Sequence, residues 1–190
     1  MVKDKKVFWF DTETTGLDCN RNDIIQLAYL VEMNGEIKEE GNLKCQPFCY
    51  NTIDAKALEI NRSSVDILKT LPIPQEMYNK LITVLDKYVD RYNKEDKYAV
   101  AGYNVRFDVD FLNRFFLKNN DKYYGAMFDY HLLSVDVLLH ILDYKGLIKL
   151  DNYKLVTVCK HFGIQLNAHD ALSDIKSTRQ VFLKLLEYLK

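Results

Sequence analysis

Five residues of this 190-residue sequence stand where they could do chemistry together. Asp11 and Glu13 follow the apolar run Val7-Phe8-Trp9-Phe10 at i and i+2, so in extended chain their carboxylates share one face. Two such carboxylates repel unless a cation lies between them. Asp108 opens an amphipathic segment just past a short apolar run, Asp174 lies in the first turns of the last periodic segment, and His169 precedes it. Carboxylates at strand ends and helix starts of an α/β domain project into one crevice. Converging acids offer hard oxygen donors, which suit Mg²⁺ or Mn²⁺ rather than Zn²⁺. Two such ions ~3.5–4 Å apart clamp both the attacking and the leaving oxygen of a phosphodiester, and a neighbouring His can take the proton of the attacking water. Each residue also has a plain alternative. Asp108 or Asp170 can cap a helix, an Asp after a strand can be a turn residue, and His169 can be a solvated loop residue.

The elements that must position these residues follow from local pattern. Val7–Phe10 reads as a central strand ending at the polar turn Asp11–Gly16. Ile24 to Met33 is a second β-like run, Asn34-Gly35 is a hairpin signal, and Glu36 to Cys45 is the returning strand. Met77, Leu81, Leu85 and Tyr88 recur at helical spacing behind Pro72 and Pro74. Tyr98 to Tyr103 predicts a short buried strand, and Phe111 to Phe116 marks an amphipathic helix. Residues 127–135 mix strand and helix signals, and helices are predicted over 135–144, 153–162 and 170–189. Three antiparallel strands followed by alternating helices and strands imply an α/β or α+β fold with a mixed sheet.

Composition narrows the function classes. Hydrophobic residues make up 48% and charged residues 28%, which is ordinary for a folded domain. The length predicts one domain. The formal net charge of −1 is unlike that of a protein coating long nucleic acid, so any such contact is expected to be short and local. No apolar run approaches the ~20 residues of a membrane span and no signal peptide is visible, so a cytoplasmic location with no membrane contact is expected. Cys45 and Cys49 have no second pair at zinc-finger spacing, and no disulfide framework is expected from four scattered cysteines. His131, His140 and His161 read as ordinary surface or core residues.

Three motifs carry a family resemblance. FDTETTGLD (10–18) resembles the first motif of the DEDDh 3′→5′ exonucleases, AGYNVRFDVDFL (101–112) is similar to their second, and AHDALSDIKST (168–178) to their third through His169, Ala171 and Asp174. SVDVLL (134–139) and NYKLVTVCKHFGI (152–164) resemble the connecting helices. The motifs stand in the family order and span nearly the whole chain.

This resemblance implies a single exonuclease domain over 1–190 with a ribonuclease H-like α/β fold. That fold is a mixed five-stranded sheet, three antiparallel strands and then parallel ones, flanked by helices. It implies Asp11, Glu13, Asp108 and Asp174 as ligands of two Mg²⁺ or Mn²⁺ ions and His169 as general base. Thr14 then lies at the turn meeting the terminal 3′-OH, and Leu17 is an apolar wedge against the terminal base. Asn104 and Phe107 line the site; for Leu17, Asn104 and Phe107, packing or turn formation is an equal alternative. Asp136 falls at a frequent acidic position of a connector and reads as structural.

The implied activity is release of 5′-mononucleotides from single-stranded 3′ ends. DNA is favoured, as in epsilon-type proofreading exonucleases. The alternatives are an exoribonuclease of the ribonuclease T or oligoribonuclease type, and an inactive nucleic-acid-binding module. Epsilon-type relatives carry a further polymerase-docking tail, whereas this chain stops at Lys190. A stand-alone enzyme without a polymerase partner is therefore expected. The sequence leaves the oligomeric state open.

Overall fold

A computed structural model describes residues 5–167 and 170–189. Strands β1 (Lys6–Thr14), β2 (Ile24–Met33) and β3 (Glu36–Lys44) form an antiparallel meander, and β4 (Tyr98–Gly102) and β5 (Phe128–Ser134) add to it in parallel, giving the order β3-β2-β1-β4-β5. The β2–β3 turn at Asn34-Gly35 has positive φ at both residues, 52° and 89°, the conformation that Asn-Gly adopts readily. After β3 come a short 3₁₀ turn (Tyr50–Thr52), α1 (Ala55–Ile60), α2 (Val65–Lys69) and α3 (Pro74–Leu85). The remaining helices are α4 (Arg106–Lys118), α5 (Tyr124–Met127), α6 (Val135–Tyr144), α7 (Leu155–Phe162) and α8 (Ala171–Glu187).

The alternation of β1 divides the molecule into two layers. Phe8 and Phe10 point to one face, where Met77, Leu81 and Leu85 of α3 and Phe111, Phe115 and Phe116 of α4 cover them. Trp9 points to the other and packs with Leu139 of α6, Val158 of α7 and Ile175, Val181 and Leu185 of α8. All three aromatic side chains are fully buried, and burying each one stabilises the fold by about 1.5–3 kcal/mol.

Two differences from the sequence reading bear on the site. The segment after Phe10 is not a turn: β1 runs on to Thr14, because Asp11, Thr12 and Glu13 pair with Ala28, Leu27 and Gln26 of β2. The mixed signals of 127–135 resolve into β5 followed at once by α6. Among the described residues no helix is long and apolar enough to cross a membrane.

Candidate active site

The site arises where β1 outruns its parallel neighbour. β4 pairs with β1 from Val7↔Ala99 to Trp9↔Ala101 and ends at Gly102, while β1 continues four residues past Phe10 with β2 as its one strand partner among the described residues. Gly102 is required at this crossing, since a Cβ there would lie 2.9 Å from the Phe10 carbonyl oxygen and from Val105 Cγ2.

Strand alternation sends Asp11 and Glu13 to the Trp9 face, towards α8. That helix is fixed by the Trp9–Phe182 ring contact at 5.2 Å and by Glu32, which accepts from Trp9 Nε1 at 3.1 Å and from Arg179 Nε at 2.6 Å. Asp170 caps α8, accepting from the Leu172 and Ser173 N–H groups at 3.1 and 3.0 Å, and Asp174 follows one turn later. The outcome is that carboxylate oxygens of Asp11, Glu13 and Asp174 all lie within 4.8 Å of one another.

Thr12 faces the opposite layer and there meets Asp108 in the first turn of α4. Asp108 Oδ1 accepts from the Thr12 N–H at 2.9 Å and from the Thr12 hydroxyl at 2.6 Å. No residue of β4 pairs with Thr12, and the Asp108 carboxylate takes that backbone donor instead. Asp108 is therefore only 4% exposed.

The four acids act on one another electrostatically. Burial holds the Asp11 carboxyl well above the usual carboxylate range, with the charges of Asp108, Glu13 and Asp174 adding to the shift. Burial, then Asp174 and Asp108, pushes Glu13 up to about 7, against a weaker opposing pull from Lys44. Burial also pushes Asp108 up to about 7, although both hydrogen bonds from Thr12 favour its ionised form. An all-oxygen donor set whose members raise one another in this way fits a hard divalent cation, whose charge relieves the repulsion.

The turn that carries Asp108 is held from β5 and α6. Asn104 has φ +50°, a left-handed conformation that costs a non-glycine residue energy. Its N–H donates to Asp136 Oδ1 at 3.0 Å, Ser134 Oγ donates to the same oxygen at 2.5 Å, and the Val105 N–H donates to Ser134 Oγ at 3.3 Å. α4 has no side-chain cap at its own Val105, so these cross-strand bonds serve its start.

The remaining site residues expected from sequence fall as follows. Thr14 ends β1, is buried, and donates its hydroxyl to the Gly16 carbonyl at 2.7 Å. Leu17 is 85% exposed at the tip of the following loop. That loop is tied down by Thr15 N–H to Asp23 O at 2.9 Å and by Asn61 Nδ2 to Thr14 O at 2.9 Å. Asn104 is exposed, and Phe107 is half-buried with its ring 4.8 Å from that of Phe111. His169 lies outside the described residues. Sequence reading missed Thr12, which strand alternation places on the face away from Asp11 and Glu13, and assigned no partner to Asp136. Cys45 is buried with its thiol donating to the Ile24 carbonyl, and all four cysteines are free.

Comparison with known proteins agrees with this geometry. The exonuclease family model RNase T matches residues 8–182. The PolC-type DNA polymerase III of Thermotoga maritima is 30% identical over 181 residues, covering 95% of this chain and 12% of that protein. The same polymerase of Bacillus subtilis is 26% identical over 190 residues, again with 12% of its length covered. The chain thus spans about an eighth of the curated relatives it matches. Among solved structures, Escherichia coli exonuclease I in complex with a dA16 oligonucleotide superposes with a TM-score of 0.73 at 19% identity, over 97% of this chain and 43% of that one. The apo form of exonuclease I gives 0.74 at 18% identity, over 97% and 44%. With three motifs in order, the mixed five-stranded sheet and the matched family in agreement, the chain belongs to the RNase T exonuclease family, the DEDD-type 3′→5′ exonucleases.

Proposed function

We propose that this chain hydrolyses single-stranded DNA from the 3′ end, one nucleotide at a time, with divalent cations held by Asp11, Glu13, Asp108 and Asp174. The observation that carries this reading is the approach of Asp11, Glu13 and Asp174 oxygens within 4.8 Å of one another, with Asp108 tied to the same strand. DNA rather than RNA is supported by the relatives, which include DNA polymerases and an exonuclease solved with deoxyoligonucleotides. A polymerase partner is not part of the proposal, and residues 1–190 act as one domain in it.

Asp11, central among the acids, would serve both ions. Glu13 and Asp174 would hold the one beside the attacking water, and Asp108 the one on the leaving-group side. Bound Mg²⁺ or Mn²⁺ supplies a water of lowered pKa and positive charge at the departing 3′-oxygen. His169, which lies outside the described residues, would accept the water proton. Leu17 would abut the terminal base, the backbone around Thr14 at the end of β1 would meet the terminal 3′-OH, and Asn104 and Phe107 would line the entrance.

The test is a digestion series with matched single- and double-stranded DNA and RNA in Mg²⁺, Mn²⁺ or EDTA. The expected result is metal-dependent release of 5′-mononucleotides, fastest from single-stranded DNA. Faster digestion of RNA would make the chain an exoribonuclease, and binding without any hydrolysis would make it a binding module.

A further inference from the structure

The far end of the parallel strands carries a second surface of definite chemistry. The acids sit at the C-terminal end of β1 and just beyond that of β4. Beside the N-terminal ends of β4 and β5 lies a cavity of about 740 Å³, lined by Arg91, Tyr92, Lys94, Lys97 and Tyr123 and, among the described residues, by no carboxylate. A neighbouring cavity of about 600 Å³ shares Lys94 and Lys97 and adds Lys5, Tyr130 and His131, with Glu95 and Asp129 on its wall. Tyr92, Tyr130 and Tyr123 are 91, 83 and 70% exposed, among the most exposed large side chains of the molecule. Arg91 is engaged by Asp86 and Asp121 at 3.6 and 3.5 Å; among the described residues no salt bridge within 4.0 Å holds Lys94 or Lys97, although the charge of Lys97 reaches Asp129 and helps to lower its carboxyl.

Ammonium groups outside any salt bridge, interleaved with open aromatic faces, match a polymer that alternates phosphates with flat rings. Bases stack on such rings with little regard to sequence, and the phosphates meet the cations. An acidic peptide would satisfy the lysines and leave the tyrosine faces unused. We propose that this end of the molecule anchors the single-stranded part of a nucleic acid whose 3′ end occupies the acidic site, with Lys94 and Lys97 on phosphates and Tyr92 and Tyr123 on bases. The identity of the ligand rests on the exonuclease reading; the surface itself does not. Lys6 and Glu13, at the two ends of β1, are seven residues apart, roughly 23 Å at about 3.3 Å per residue. A strand of a few nucleotides therefore reaches one end of the sheet only, and a longer one reaches both.

The experiment is a calorimetric titration of the full chain with unlabelled dT4 and dT16 in EDTA, alongside dT4 hydrolysis in Mn²⁺. The variants are Lys94→Glu with Lys97→Glu, and Tyr92→Ala with Tyr123→Ala. Tyr92, Lys94 and Tyr123 are exposed and Lys97 is half-buried, and all four lie away from the acids. The proposal expects each pair to weaken dT16 binding at least tenfold and to leave dT4 binding and hydrolysis within twofold of the parent. Losing two phosphate contacts also lowers the salt slope of dT16 binding by about 1.4. Unchanged dT16 binding, equal losses for dT4 and dT16, or tight binding of a deca-glutamate peptide with no discrimination against the variants would overturn it. Hydrolysis of dT4 by the parent with unaffected dT16 binding removes the anchor and leaves the exonuclease. Variant-sensitive dT16 binding by a parent that hydrolyses nothing does the reverse.

Discussion

Thr12 donates both its backbone N–H and its hydroxyl to the carboxylate of Asp108, 96 residues further along the chain. The contact sits where β4 has ended and β1 goes on, so an acid from α4 replaces the missing strand. It also joins the two layers: Asp11 and Glu13 face α8 on one side of β1, and Thr12 faces α4 on the other. Replacing Thr12 by Val keeps the shape and the backbone bond but removes one hydrogen bond to a charged group, worth about 1.5–3 kcal/mol. Calorimetric Mn²⁺ titration is expected to show affinity falling roughly tenfold or more in Thr12→Val and returning in Thr12→Ser. Equal affinity in Thr12→Val and the parent would show that the hydroxyl does not position Asp108.

The crowded acids make stability depend on pH in a definite sense when no divalent cation is present. Glu13 rises from the ordinary 4.5 to about 7 and Asp108 from 3.8 to about 7, so the folded state binds more protons than the unfolded one between those values. Stability is then fully present below about pH 4 as far as these groups are concerned, and is lost as pH rises through about 7. Thermal unfolding in EDTA is expected to show the melting temperature falling over this range. Asp11→Asn should raise the melting temperature at pH 8 in EDTA by removing one of the mutually repelling charges, while abolishing hydrolysis. A melting temperature lowered by this substitution in EDTA would contradict the electrostatic account.

Asp136 holds the Asn104 turn in its left-handed conformation. Asp136→Ala removes an acceptor from the Asn104 N–H and the Ser134 hydroxyl, at a cost of about 1–3 kcal/mol for donors left without it. Urea unfolding should register that loss, and KM for a short oligonucleotide should rise, because Asn104 lines the proposed entrance. Asp136→Asn, which keeps one acceptor oxygen, should recover part of both. An unchanged KM in Asp136→Ala would confine the residue to stability.

Asp170 ties the start of α8 to the register that brings Asp174 to β1. Asp170→Ala removes the cap and is expected to cost about 1 kcal/mol, whereas Asp170→Asn, another strong capping residue, should be close to neutral. Chemical denaturation of the two variants checks this ordering; equal destabilisation would mean that charge rather than capping matters at this position.

How far the sequence revealed the site follows from the range of each interaction. The meander β1–β3 was legible because Val7–Phe10, the run from Ile24 to Met33 and Asn34-Gly35 are local signals. Asp11 and Glu13 were legible because strand alternation puts i and i+2 together, and the family motifs named Asp108 and Asp174. The extension of β1 through Thr14 was hidden, since a polar, Thr-rich segment ending at Gly16 reads as a turn until β2 is there to pair with it. The Thr12–Asp108 and Asp136–Asn104 bonds were hidden because they join positions 96 and 32 residues apart with no periodic trace. α1 and α2 are helices of six and five residues, too short to leave an apolar stripe.

The central claim is that Asp11, Glu13, Asp108 and Asp174 together hold divalent cations, and anomalous diffraction from crystals soaked in MnCl₂ tests it most directly. The account predicts one manganese peak among Asp11, Glu13 and Asp174 and a second between Asp11 and Asp108, both lost in Asp11→Asn. Crystals that show no peak at these carboxylates, or manganese bound only elsewhere on the molecule, would contradict it.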